Sequence, residues 1–147
     1  MSAELLIANM LRVASEDLDG ARARRRQQSE RDLLVRASAE KVIRAVVTSE
    51  GKHAGIKHEL AEIVDLIPDE NPLKVSLRKI EHLSQYATAY RYPVSSSRTK
   101  RIPQPPSADD LRDAIVNTAA ALSDAVAVFK VDLQHADTPA RLAGPIR

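Results

Sequence analysis

The stretch Ser107–Phe129, SADDLRDAIVNTAAALSDAVAVF, carries the clearest helical periodicity in the chain. Leu111, Ala114, Ile115, Thr118, Leu122, Ala125, Phe129 and, just beyond, Leu133 recur at three- and four-residue steps, which places them on one stripe of a helix. Ser107 is a good N-cap, and Asp109 and Asp110 fall in the first turn, where carboxylates meet the positive end of the macrodipole. A helix of this kind buries its stripe only against other helices, and the rest of the chain supplies them.

Working back towards the N-terminus, Arg91 to Pro106 holds four prolines and the run Ser95-Ser-Ser-Arg-Thr-Lys-Arg101, which predicts a loop ordered at its ends and mobile in its middle. Before it, Leu73, Leu77, Ile80, Leu83, Ala87 and Tyr90 form a stripe over about residues 72–90, started by Asn71-Pro72 and ended by Pro93. A short amphipathic piece with Leu60, Ile63, Val64 and Ile67 on one face stops at Pro68. Leu34, Val35, Ala39, Val42, Ile43, Val46 and Val47 give a wide apolar arc over about residues 30–50, closed by Gly51, so this helix should touch neighbours on several sides and be the most buried. Ser29 and Asp32 before that arc resemble a capping box, with Asp in place of the usual Glu. Ile7, Met10, Leu11, Ala14, Leu18 and Ala21 define the first helix, about residues 3–26.

No strand signal, glycine-rich phosphate loop or internal repeat interrupts this pattern. The expected fold is therefore all-α, an antiparallel up-and-down bundle of four to five helices over residues 1–135. Thr138-Pro139 and Gly144-Pro145 break the pattern afterwards, so residues 136–147 are expected to be a flexible C-terminal tail. At 147 residues the chain suits one domain. Such a length buries about 68–70% of the surface exposed by the unfolded chain.

Composition narrows the chemistry. The chain has no cysteine, which excludes disulfides, thiolate metal sites and a Cys nucleophile and suits a reducing compartment. The first twenty residues contain acidic side chains and no unbroken apolar run, so neither a signal peptide nor a membrane span is expected, and the cytoplasm is the expected location. A net charge of +2 does not by itself argue for nucleic acid, although a pI near 9.0 permits it. Local clustering is more informative: Arg22, Arg24, Arg25 and Arg26 form one basic knot, and Arg91, Arg98, Lys100 and Arg101 a second. Each is either solvated surface or a phosphate-contacting patch. Aromatic residues make up 3% of the chain, which leaves only Tyr90 and Tyr92 close enough together to stack bases.

Four elements then bear a family likeness in order and spacing: Glu16-Asp17-Leu18 in the first helix, Ala39-Glu40-Lys41 in the second, Ile56-Lys57-His58-Glu59-Leu60 before the third, and Tyr90-Arg91-Tyr92-Pro93 at a helix end. Over about residues 5–134 the chain resembles the HEPN-domain family. The resemblance implies a compact helical bundle, often a homodimer, associated with nucleotides, RNA or a partner nucleotidyltransferase of the minimal type, in some cases as one half of a toxin–antitoxin pair. It does not imply one activity. Some members are RNases that place an Arg and a His, with four to six residues between them, in a dimer cleft. Here Arg78 and His82 have three residues between them, while Lys52–His58 and Lys130–His135 have suitable spacing but the wrong cation. Lysine lacks the bidentate guanidinium fork.

The residues themselves leave two readings at several positions. Arg91 can bind phosphate or stack on a neighbouring ring, or it can cap the last carbonyls of its helix. His58 can contact an anion near a helix start, or serve in packing. Glu40 is expected to pair with Arg36 and Arg44 at i,i±4, and Glu40 and Lys41 to point apart. No Asp/Glu/His set has metal-ligand spacing, and Ser95, Ser96 and Ser97 lack nucleophile-elbow glycines, so neither metal, cofactor nor Ser-hydrolase chemistry is expected. The leading expectation is a HEPN-like protein that binds RNA, a nucleotide or a nucleotidyltransferase through Arg91, Tyr92, His58, Arg98, Lys100 and Arg101. The alternatives are a non-catalytic oligomerising interaction protein and an RNase toxin with a degenerate Arg78–His82 pair.

Overall fold

The computed structural model describes residues 1–57, 59–86, 105–142 and 146–147, and these form an all-α bundle. Its helices are α1 (Ala3–Arg22), α2 (Gln28–Ser49), α3 (Leu60–Val64), α4 (Lys74–Arg78) and α5 (Ala108–Phe129), with a 3₁₀ turn at Glu81–Leu83. No strand occurs among the described residues.

α1 and α2 run antiparallel in an extensive contact. Three hydrogen bonds fix their register: Arg31 Nε donates to the Ala21 carbonyl at 2.7 Å, Ser38 Oγ to the Ala14 carbonyl at 2.7 Å, and Lys41 Nζ to Asp17 at 2.7 Å. Both helices contribute small buried residues, Ala8, Ala14 and Ala21 from α1 and Ala39 and Ala45 from α2. Gly20 belongs to the same seam, because a Cβ there would lie 2.9 Å from Leu34 Cδ1. α5 then lays Leu111, Ala114, Thr118, Ala121, Leu122, Ala125 and Phe129 against both helices. α2 also meets α3 and is thus the central helix, as its wide apolar arc predicts. Burying each Leu, Ile or Phe of this core contributes about 1.5–3 kcal/mol relative to leaving it exposed.

The Ser107 cap is as expected, and is a full capping box. Ser107 Oγ accepts from Asp110 N–H at 3.0 Å and the Asp110 carboxylate accepts from Ser107 N–H at 3.0 Å. Three local readings are corrected. α1 stops at Arg22, because Ala23 turns extended and returns its N–H to the Gly20 carbonyl. α2 starts at Gln28 with Gln27 as its N-cap, so Ser29 and Asp32 form no capping box; Asp32 lies inside the helix and is buried. The stripe expected over about residues 72–90 is not one helix where it is described, and its last members, Ala87 and Tyr90, lie outside the described residues. α4 ends at Arg78, Ile80 departs to φ −117°, ψ 0°, and a 3₁₀ turn follows, although Leu73, Leu77, Ile80 and Leu83 are all buried. Periodicity records which side chains face the core, and the tighter turn preserves that. Asn71 still caps: its Oδ1 accepts from Leu73 N–H at 2.9 Å, and regular helix begins at Lys74.

α5 closes on Lys130 in the left-handed region (φ 52°, ψ 49°), with the Lys130 and Val131 N–H groups both returned to the Val126 carbonyl. The following segment, assigned by sequence to the bundle's end and tail, touches α1 and α2. The Arg12 guanidinium donates to the carbonyls of Asp132 and Thr138, Ala140 N–H donates to the Glu4 carbonyl, and Arg147 pairs with Glu50 at 2.9 Å.

That last pair has a pH signature. The Arg147 hydrogen bond, joined by the Asn71 amide and opposed by burial, holds the Glu50 carboxyl below its ordinary value of 4.5. A carboxyl depressed in the folded state stabilises the fold above its unfolded pKa, and loses that contribution as pH falls through the folded value. Arg147→Ala should therefore unfold at lower urea than the wild type at neutral pH, with the gap closing well below pH 4.5. A gap that is constant with pH would show that the pair does not act through Glu50 ionisation.

Candidate functional site

The elements that carry the family likeness fall into two groups. Glu16-Asp17-Leu18 and Ala39-Glu40-Lys41 face each other across the α1–α2 seam, where Leu18 and Ala39 are in the core and Asp17 and Lys41 form the 2.7 Å ion pair. Glu40 pairs with Arg36 at 3.3 Å and lies 4.0 Å from Arg44, as expected, although on a half-buried flank. Arg44 also donates to the Lys57 carbonyl at 2.9 Å, which ties the loop before α3 to α2. These charges are matched inside the scaffold and leave little to offer a ligand. Of the other two elements, His58 and the Tyr90-Arg91-Tyr92-Pro93 run lie outside the described residues, as do Arg98, Lys100 and Arg101 of the expected contact surface.

Arg78 and His82, the degenerate RNase pair, are both described, and their surroundings differ. One terminal nitrogen of Arg78 donates to Glu81 and the other to Asp65, each at 2.7 Å. The two carboxylates, Glu81 first, push the Arg78 pKa up. A guanidinium held on both prongs by carboxylates is not presented to a phosphate unless those bonds break. His82 instead lines a cleft of about 410 Å³ between the 3₁₀ turn and the start of α5, together with Gln85, Tyr86, Asp110, Asp113 and Asn117. The His82 and Tyr86 rings meet edge to face at 6.4 Å and 82°.

Electrostatics give this cleft its character. Burial first, then the carboxylates of Asp110, Asp32 and Asp113, push the Tyr86 phenol up to about 12, so at neutral pH it is a protonated donor. The Ser107 backbone N–H and hydroxyl hold Asp110 below the usual carboxylate range, so it stays ionised. Two carboxylates beside an exposed imidazole would repel a phosphodiester. The cleft suits a neutral or cationic group better than an RNA phosphate.

On the other side of the α5 start the sign reverses. Arg22 and Arg24 of the basic knot line a groove of about 370 Å³, joined there by Arg31 of α2 and Arg112 of α5. Sequence reasoning found the first two as a cluster. It missed Arg31 and Arg112 because the knot and the last helix are brought together only by the tertiary fold, and it missed Tyr86, whose spacing of four from His82 is the one available signal. No group of His, Asp and Glu among the described residues is arranged to hold a metal ion. No helix among them is long and apolar enough to cross a membrane.

The described residues thus form a helical bundle with matched charges along the α1–α2 seam and oppositely charged clefts flanking α5. The model of the HEPN domain matches residues 7–127, and the chain belongs to the HEPN-domain family. No curated protein and no solved structure gives a significant match.

The raised Tyr86 value is directly measurable. A phenol with its folded pKa above the unfolded value of 10.0 keeps the full stabilising effect below 10, and loses it as pH rises towards about 12. Of the chain's three tyrosines, one should show a phenolate absorbance transition near 12, absent in Tyr86→Phe. Loss of a transition near 10 instead would contradict the buried, acid-flanked setting.

Proposed function

We propose that this HEPN protein works by binding and not by cutting RNA. Its ligand is RNA or a nucleotide, taken alone or together with a nucleotidyltransferase partner of the minimal type, in an arrangement of the toxin–antitoxin kind. Family membership supports the association with nucleotides and RNA. The single observation that favours binding over cleavage is the state of Arg78, both of whose terminal nitrogens are engaged by Asp65 and Glu81 while His82 faces an acidic cleft. An RNase needs a cation at the scissile phosphate and a His within reach of the same atom, and this pair offers neither arrangement.

In this reading Arg91, Tyr92, His58, Arg98, Lys100 and Arg101 form a contact surface. Their guanidinium and ammonium groups would match phosphate oxygens, and the tyrosines would pack on a base. The protein acts in the cytoplasm as a homodimer, a form that would double the surface.

Purified protein incubated with labelled RNA should leave it intact, its expression should not slow growth, and binding at low salt should weaken in Arg91→Ala. RNA cleavage that disappears in His82→Ala would overturn the non-catalytic reading and restore the RNase alternative.

A further inference from the structure

We infer that the groove between the α1–α2 turn and the first two turns of α5 is a binding site for the phosphodiester backbone of single-stranded RNA, which rests on the RNA-binding reading above. Four guanidiniums, of Arg22, Arg24, Arg31 and Arg112, line it against one lining carboxylate, Asp109. They come from three helices and the α1–α2 turn, so a helix surface that merely faces water does not account for their convergence.

The donors left over after internal bonding are what a ligand would meet. Arg31 spends only Nε, on the Ala21 carbonyl at the C-terminal end of α1; its two terminal nitrogens have no hydrogen-bond partner among the described residues. That single bond also orients the guanidinium across the turn, so part of the entropy of positioning it is already lost in the free protein. Arg24 lies in the turn, outside any helix, and has no ion pair among the described residues. Arg22 reaches Asp19 only at 3.8 Å, and Arg112 meets Asp109 at 2.9 Å; in both pairs each side chain is more than half exposed. Exposed pairs of this sort are weak, and a phosphate oxygen competes for them readily. Like charges crowded in one groove repel, and an entering anion relieves that repulsion.

The rest of the lining indicates which anion. Leu111, Ile115 and Val116 add an apolar wall, and the described lining residues include no aromatic ring. Those residues give bases nothing to stack on, so they read phosphates and not sequence. Gln28 closes one side by donating its amide to the Pro106 carbonyl at 2.6 Å, which ties the start of α2 to the entry to α5.

Fluorescence anisotropy with a labelled oligouridylate, over a series of salt concentrations, tests the assignment. The variant Arg24→Gln/Arg112→Gln should bind roughly tenfold more weakly at low salt and uniformly across sequences. Its log–log salt slope should be shallower by about 1.4, because each single-strand phosphate contact contributes about 0.7. Arg24→Lys/Arg112→Lys should keep most of the slope, and unchanged thermal melting of both variants checks the fold. A wild type that binds oligouridylate, with a double variant indistinguishable from it, would refute the groove and leave RNA binding standing. A wild type blind to oligouridylate at low salt would remove the RNA reading and the groove together. Complete displacement of oligouridylate by inorganic tripolyphosphate at equal phosphate concentration would reassign the groove to a short polyphosphate.

Discussion

The close antiparallel seam between α1 and α2 is the constraint on which everything else is built. Gly20 gives Leu34 room against α1, and across the seam Ser38, Arg31 and Lys41 reach the Ala14 and Ala21 carbonyls and Asp17. A buried hydroxyl bonded to a carbonyl of the neighbouring helix would be costly in any other register, because the partners would be left unsatisfied. The seam thus sets both distance and register. It presents α2 centrally, and α3 and α5 pack on what remains of its apolar arc.

The same geometry divides charge by sign around the start of α5. Asp110, Asp113 and Asn117 lie on the side of the helix facing His82 and Tyr86, while Asp109, Arg112 and Val116 lie on the side facing the α1–α2 turn. One helix therefore separates an acidic cleft from a basic groove. The net charge of +2 hides this separation, since opposing patches cancel in a sum. A ligand with negative charge would be repelled by one side and drawn to the other, so a bundle with almost no net charge can still orient an anionic strand.

How much of this was legible beforehand depended on whether the signal was local. The α5 stripe and the Ser107 cap were readable because a capping box and a 3.6-residue period are written within a few positions. The family likeness was readable too, and the matched region of residues 7–127 is close to the span it suggested. The break after Arg78 was not, because Leu77, Ile80 and Leu83 are spaced alike for an α-helix and for an α-helix followed by a 3₁₀ turn. Ser29 and Asp32 have the spacing of a cap, but the chain enters α2 two residues earlier than such a cap would require, and the fold buries Asp32 instead. The basic groove was half legible: Arg22 and Arg24 are neighbours in sequence, whereas Arg31 and Arg112 join them only through packing.

The most direct test of the account is to map oligouridylate binding residue by residue through amide and arginine side-chain NMR shifts. Binding in the basic groove should shift Arg22, Arg24, Arg31 and Arg112 and the backbone around Ala108–Asp109, with His82, Tyr86 and Asp113 unmoved. Shifts concentrated at His82, Tyr86 and Asp113, with the four arginines silent, would contradict it.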